Sequence, residues 1–110
     1  MANATTYPTW NMVHRRANQT SVASSPYTVL DSDDILLVST ASARTLTLPT
    51  AAIKRIIIIK DVTGTANTNN ITLDPAGSDT VEGLTANKIL QTDFGAWTIV
   101  SDGGTAWYFI

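Results

Sequence analysis

Residues 56–62 read IIIIKDV, and this stretch decides the fold class. Its four consecutive isoleucines are branched at Cβ, which favours a strand over a helix. The run is also too short for a helix of ordinary length, and an unbroken apolar run is typical of a strand covered on both faces. The sequence therefore predicts a central strand whose side chains lie in the core or against a partner chain: Ile56, Ile57, Ile58 and Ile59.

Segments of the same kind extend outward from this run and are separated by short turns rich in Asp, Gly, Ser and Asn: YTVL (27–30), ILLVST (35–40), RTLTLP (44–49), ITLD (71–74), AWTIVSD (96–102) and TAWYFI (105–110). Residues two apart on a strand share a face, so Trp107 and Phe109 are predicted to enter one apolar layer while Tyr108 faces the other way. We assign Trp97, Trp107 and Phe109 to the core or an oligomer interface. NKILQTD (87–93) and AWTIVSD flank Phe94 and Gly95 and are interpreted as a hairpin.

The pattern predicts an all-β fold: short antiparallel strands in a compact sandwich or an intertwined barrel-like body spanning residues 27–110. Residues 1–26 follow neither a strand period nor a helix period and contain Pro8 and Pro26. They are interpreted as an extended N-terminal arm. Tyr7, Trp10, Met12 and Val13 are large apolar groups that a solvated linker would not keep. These aromatic groups either anchor the arm to another protein or fold back on their own domain.

Composition narrows the class of partner. The chain of 110 residues has a formal net charge of −2, and only 15% of its residues are charged. That balance argues against nucleic acid or an anionic membrane as the main partner, and a surface so poor in charge often contacts other protein. No apolar run approaches the roughly 20 residues needed to span a bilayer.

Residues that could perform chemistry are sparse. His14 is the only histidine and there is no cysteine, so neither a transition-metal site nor a nucleophilic triad is predicted. The Asp-containing stretches 31–34 and 74–79 offer oxygen ligands for a hard cation, but turn formation is the preferred interpretation. Asp79 and Glu82 could form a carboxylate pair for glycoside cleavage, although no cleft is indicated. We expect a protein that is not an enzyme and that carries no metal or cofactor.

The order of motifs IIIIKDVTGTA, ITLDPAGSDTVEG and FGAWTIVSDGGTAWYFI resembles a module of tailed-bacteriophage structural proteins, found in fibres and in proteins that decorate the head. The resemblance covers about residues 44–110. It implies a trimer of short strands in which certain residues hold corners and chain contacts: Lys60, Asp61, Gly64, Asp79, Gly83, Ser101, Asp102, Gly103 and Trp107.

The expected function is that of a phage capsid decoration protein, a cement or head-fibre protein that binds the outer surface of the head and stabilises it or displays a β knob. Its partners would be two further copies of itself, in a homotrimer, and the major capsid protein. It would be made in the host cytoplasm and located on the capsid surface of the virion. The arm residues expected to anchor it are Tyr7, Trp10, Met12, Arg15 and Arg16. The alternative is a small tail fibre or tail-tip receptor-binding module, and a carbohydrate-active or lectin-like domain is a third, less favoured class.

Overall fold

The computed structural model describes residues 17–110, and ten β-strands lie in that range. The strands are short, and every strand but the last is followed by a turn that contains Asp, Gly, Ser or Pro. The strands are β1 (Gln19–Val22), β2 (Tyr27–Thr28), β3 (Ile35–Val38), β4 (Arg44–Thr47), β5 (Ile56–Asp61), β6 (Ile71–Asp74), β7 (Thr80–Val81), β8 (Lys88–Leu90), β9 (Ala96–Ser101) and β10 (Ala106–Phe109).

The first six strands alternate between two sheets. The first sheet has the order β1-β3-β5-β9-β10-β7, and the second has the order β2-β4-β6-β8. Strands β1, β3 and β5 pair in parallel, as do β2, β4 and β6. Each odd strand and the even strand after it therefore form one coil, and three such coils stack as in a β-solenoid.

The remaining strands extend both sheets with mixed polarity. Strand β9 is antiparallel to β5, β10 is antiparallel to β9, and β7 pairs in parallel with β10. In the second sheet β8 is antiparallel to β6. The solenoid pattern thus ends after the third coil.

An all-β body with two sheets is confirmed, but the expectation of antiparallel strands is wrong for five of the eight strand pairs. The hairpin expected around Phe94 is also wrong, because β8 belongs to the second sheet and β9 to the first. Parallel neighbours need a long crossover. Here a strand of the opposite sheet serves as that crossover. The sequence of each segment is therefore a short strand followed by a turn, as it would be in a hairpin.

The arm boundary predicted at residue 26 lies too late. Strand β1 begins at Gln19, and Val22 contributes a side chain to the core. The hydroxyl of Thr20 donates a hydrogen bond to buried Asp33. These contacts make residues 19–22 part of the first coil. Residues 1–16 of the predicted arm lie outside the described residues.

The hydrophobic core fills the space between the two sheets. Alternate residues of each strand point into it, as the strand period requires. Trp107 is its largest fully buried side chain, and Tyr27, Trp97 and Phe109 pack at its margin. The other core residues are Val22, Val29, Leu36, Val38, Leu46, Leu48, Ala51, Ile57, Ile59, Ile71, Leu73, Val81, Leu90 and Ile99.

Strand β5 occupies the interior of the six-stranded sheet, between β3 and β9, but residues 17–110 do not cover it on both faces. Ile57 and Ile59 are fully buried between the sheets. Ile56 is 53% exposed and Ile58 is partly buried, on the opposite face of the sheet. The prediction of burial on both faces is therefore wrong for the part of the chain that the structure describes. The unbroken apolar run reflects one face in the core and one apolar face turned outward.

Trp107 generates a test of the core. Replacement of Trp107 by Ala should lower the free energy of unfolding by about 3 to 5 kcal/mol, because it leaves a large cavity. Trp107→Phe should cost clearly less, because it keeps an aromatic ring and removes the indole Nε1, which is buried without a hydrogen-bond partner. Urea unfolding of both variants measures the difference. Equal costs for the two substitutions would show that ring packing is not what Trp107 contributes.

Candidate functional site

The best-organised polar site is built around Asp61, the last residue of β5. Its side chain is fully buried and accepts five hydrogen bonds, from groups on three separate connections. Oδ1 accepts from the hydroxyl of Thr40 at 2.7 Å and from the backbone N–H groups of Thr63 at 3.0 Å and Gly64 at 2.9 Å, and Oδ2 accepts from those of Ala66 and Phe94, both at 3.0 Å.

This environment determines the protonation state of Asp61. Burial raises the pKa of the carboxyl, because a charge loses its hydration in the interior. The hydrogen bonds from Gly64, Thr40, Phe94 and Ala66 outweigh burial and hold the pKa well below its usual range. Asp61 is therefore an ionised acceptor, and it joins the connections β3–β4, β5–β6 and β8–β9 at one corner of the stack.

Phe94 lies at this corner, where its backbone is held by hydrogen bonds and its ring is exposed. It adopts φ 55°, an uncommon conformation for a residue with a side chain, and is 58% exposed. Its carbonyl accepts a hydrogen bond from Lys60 Nζ, which also lies 5.8 Å from the centre of the ring. The ring packs where a side chain at residue 64 would stand, so Gly64, at φ 88°, is required there.

A second buried carboxylate, Asp33, holds the first coil. It accepts hydrogen bonds from the Thr20 hydroxyl at 2.6 Å, the Tyr27 hydroxyl at 2.7 Å and the Leu30 N–H at 2.9 Å. Burial raises the pKa of Asp33. These hydrogen bonds and the Arg55 charge have the opposite and larger effect, so the pKa of Asp33 lies below its usual value. Burial and the neighbouring carboxylate raise the pKa of Tyr27 to about 12.

The outward side of the first sheet forms an apolar surface, which we call the outer face: Ile35, Ile56, Ile58, Val100, Tyr108 and Ile110. Strand register places these residues side by side. Ile35 lies opposite Ile58, and Val100 lies between Ile56 and Tyr108. The backbone N–H of Ile110 continues the pairing by donating to Thr98. Exposed apolar surface that is contiguous marks an interaction site more often than scattered apolar residues do.

An open groove of about 940 Å³ runs along part of the outer face. Its floor includes Ile35, Ile56 and Ile58, and Ala17 stands at its edge. The groove has the chemistry of a surface for protein contact, because its floor is aliphatic and its charged groups lie around it. The charged residues that line it are Asp31, Asp34, Lys54 and Arg55.

The structure divides the residues assigned to the core or an oligomer interface. Ile57, Ile59 and Trp107 are fully buried, whereas Trp97 and Phe109 are partly buried against the core. Ile56 and Ile58 belong to the outer face. The predicted anchoring residues Tyr7, Trp10, Met12, Arg15 and Arg16 lie outside the described residues.

The Asp-containing turns are occupied by structural hydrogen bonds. Asp79 Oδ2 accepts from the N–H of Ala51 at 2.9 Å, and Glu82 Oε2 accepts from that of Phe109 at 2.9 Å. Across residues 17–110, no three acidic, His or Cys side chains are grouped so that they could hold a metal ion. The same residues contain no helix long and apolar enough to cross a membrane.

Sequence reasoning missed three participants in these corners: Asp33, Thr40 and Phe94. Asp33 stands among three aspartates in DSDD, and no local signal distinguishes the one that turns inward. Thr40 follows an apolar strand as an ordinary turn residue would. The usable signal was at Asp61, because a carboxylate at a strand end three residues before a glycine is typical of a side chain that caps a turn.

Comparison of the chain with protein-family models found no match. Comparison with curated proteins also found no match.

The Asp61 corner generates a test of stability. In the variant Asp61→Asn, either orientation of the amide places its NH₂ group against at least two backbone N–H donors. The substitution should therefore lower the free energy of unfolding by about 3 kcal/mol or more at neutral pH. The unfolded chain binds a proton at a higher pH than folded Asp61 does. The contribution of the carboxylate is therefore complete above about pH 4 and lost as the pH falls below it. The difference between wild type and variant should then narrow at pH 3.

Urea unfolding at both pH values measures this difference. Asp31→Asn is the matched control, because the Asp31 side chain is 95% exposed and lies 3.9 Å from Arg55. An exposed pair of this kind contributes about 0 to 1 kcal/mol, so the control should unfold nearly as wild type does. An equal effect of the two substitutions would contradict the role assigned to Asp61.

Proposed function

We propose that this chain is a structural protein of a tailed-phage particle, a decoration protein that attaches to the outside of the head. The order of motifs from IIIIKDVTGTA to SDGGTAWYFI carries this proposal. The described residues support it by their arrangement, because several motif residues are used at corners of the stack. The polar residues of the motif form hydrogen bonds with backbone groups. This use suits a structural role without catalysis or a cofactor.

The corner residues illustrate this use. Asp61 and Gly64 form the buried corner described above. Ser101 Oγ donates to the carbonyl of Ile53 at 2.6 Å and accepts from the N–H of Arg55 at 2.9 Å. Asp102 Oδ1 accepts from the N–H of Gly104 at 2.8 Å. Such contacts make a rigid body, which is what a protein displayed on a particle needs.

Attachment is assigned to the N-terminal segment. Tyr7, Trp10 and Met12 would enter apolar grooves of the major capsid protein, with Arg15 and Arg16 meeting acidic groups at the rim. Aromatic anchors dominate the energetics of many protein contacts. Attachment of several linked copies raises the effective concentration of each anchor at the shell.

Self-association is part of the proposal, as a homotrimer. Its support is the apolar surface at β10, where Tyr108 is 45% exposed and Ile110 is 71% exposed. Cyclic association of copies covers surface of this kind. The edge of the outer face that carries these two residues would then lie between copies.

Sedimentation velocity tests the trimer. Wild type at micromolar concentration should sediment as a trimer, and Tyr108→Lys with Ile110→Lys should shift it to a monomer, because two charges would be buried unpaired. Ile89→Lys, at a 51% exposed position on β8 of the second sheet, is the control and should leave the trimer intact. A stable wild-type monomer would exclude this part of the proposal.

Binding to particles tests the decoration function. Deletion of residues 2–16 stops before β1, so the body should stay folded while binding to particles that lack the protein is lost. Tyr7→Ala with Trp10→Ala should weaken binding strongly. Thr6→Ala with Asn11→Ala is the matched control from the same segment and should bind normally. Cosedimentation with the particles of the phage that encodes the chain measures occupancy. Truncated protein that binds at wild-type occupancy would refute the anchor.

A receptor-binding part of the tail is the second candidate function, and Phe94 favours it. An exposed aromatic held in an uncommon conformation by a buried carboxylate has the geometry of a recognition group. Copy number in purified particles separates the two candidates. Many copies per particle favour decoration of the head, and a few copies favour a tail part.

A further inference from the structure

The described chain begins at one edge of the groove on the outer face. Ala17 lines the groove, and Asn18 is fixed beside it. The Asn18 N–H donates to Asp34 Oδ2 at 2.8 Å, and its side-chain amide donates to the carbonyl of Ser32 at 2.7 Å. The Asn18 carbonyl accepts from the N–H of Ile35 at 2.9 Å. The preceding residues are thus tethered within reach of the groove.

The groove floor is apolar and open. Ile56 is 53% exposed and Ile53 is 59% exposed, and both line the groove with Ile35 and Ile58. Removal of an apolar side chain of this size from water is favourable. An apolar segment held at the edge of such a groove therefore gains by entering it.

Residues 1–16 have the length and the composition to fill the groove. Tyr7, Trp10, Met12 and Val13 are their large apolar side chains. An extended chain advances about 3.3 Å per residue, so Val13 and Met12 can reach about 13 to 17 Å from Ala17. Crossing from β1 past β3 and β5 to β9 takes about 14 Å, since neighbouring strands are about 4.8 Å apart.

The charges around the groove are consistent with entry of residues 1–16 from the Ala17 side. Arg15 and Arg16 immediately precede Ala17, and Asp31 and Asp34 line the groove at that side. The basic residues that also line it are Lys54 and Arg55. Arg55 is engaged locally, where its guanidinium donates to the backbone carbonyl groups of residues 30 and 33.

We propose that, in the free protein, residues 1–16 of the chain dock in the groove of their own body, with the apolar residues on the floor and the arginines beside Asp31 and Asp34. The inference does not rest on the phage function. It assigns the groove an intramolecular ligand, and any outside partner of the same segment has to compete with the groove for it.

Paramagnetic labelling of the full chain tests the docking. The sequence contains no cysteine, so Asn11→Cys provides a single attachment point for a nitroxide and leaves the apolar residues of the segment unchanged. The methyl signals of Ile35, Ile56 and Ile58 should be strongly attenuated. The methyl signal of Ile89, on the second sheet, is the internal control and should keep its intensity. Full intensity at all four residues would overturn the proposal.

A variant and a mixing experiment complete the test. Ile56→Lys should restore the signals of Ile35 and Ile58 by lowering the ratio of docked to undocked segment about tenfold or more, because it removes one apolar contact from the floor. Attenuation that persists in this variant would overturn docking in the groove. Attenuation that is as strong when nitroxide-labelled chains are mixed with separate isotope-labelled chains would assign the groove to the segment of a second copy and overturn the intramolecular form.

Discussion

The ionised side chain of Asp61 is the constraint on which the stack depends. Five donors converge on it from connections that are distant in sequence. A buried carboxylate is tolerated only when its lone pairs are satisfied, and an unsatisfied one would destabilise the fold. The chain therefore has to bring the second coil, the third coil and the β8–β9 connection to one point. Once it does so, the alignment of β3, β5 and β9 in the first sheet follows.

Asp33 performs the corresponding task for the first coil, although its donors are mainly side chains. Thr20 and Tyr27 come from β1 and β2, one strand in each sheet. Their hydroxyl groups hold the two sheets at a fixed spacing at this end of the stack. The apolar core fills the interior between the two carboxylate corners. Polar side chains thus set the alignment of the coils, and apolar burial supplies most of the stabilisation.

The outer face links the two proposals. The segment proposed to hold the protein on a particle is also the segment proposed to dock in the groove. If both proposals hold, the segment with Tyr7, Trp10 and Met12 has to leave the groove before it can bind the shell. The apparent affinity for the shell is then the intrinsic affinity multiplied by the fraction of chains whose segment is undocked. The self-association proposed at β10 would use the neighbouring edge of the same face, so occupancy of the groove and contact between copies would influence each other.

The sequence by itself determined the class of the fold and the local role of many residues. Branched side chains at residues 56–59 required a strand, and alternation around Trp107 distinguished its buried face from that of Tyr108, because neighbouring residues on a strand point to opposite sides. Only the tertiary structure decided which strands pair and in which direction. Gln19 lies opposite Ile35, and Ile35 opposite Ile58, with a strand of the other sheet between each pair in the chain. A short strand followed by a turn looks the same in a hairpin and in a solenoid coil. Likewise the burial of Asp33 and Asp61 depended partly on donors far away in the chain, such as Thr20 for Asp33 and Thr40 and Phe94 for Asp61, which no local pattern contains.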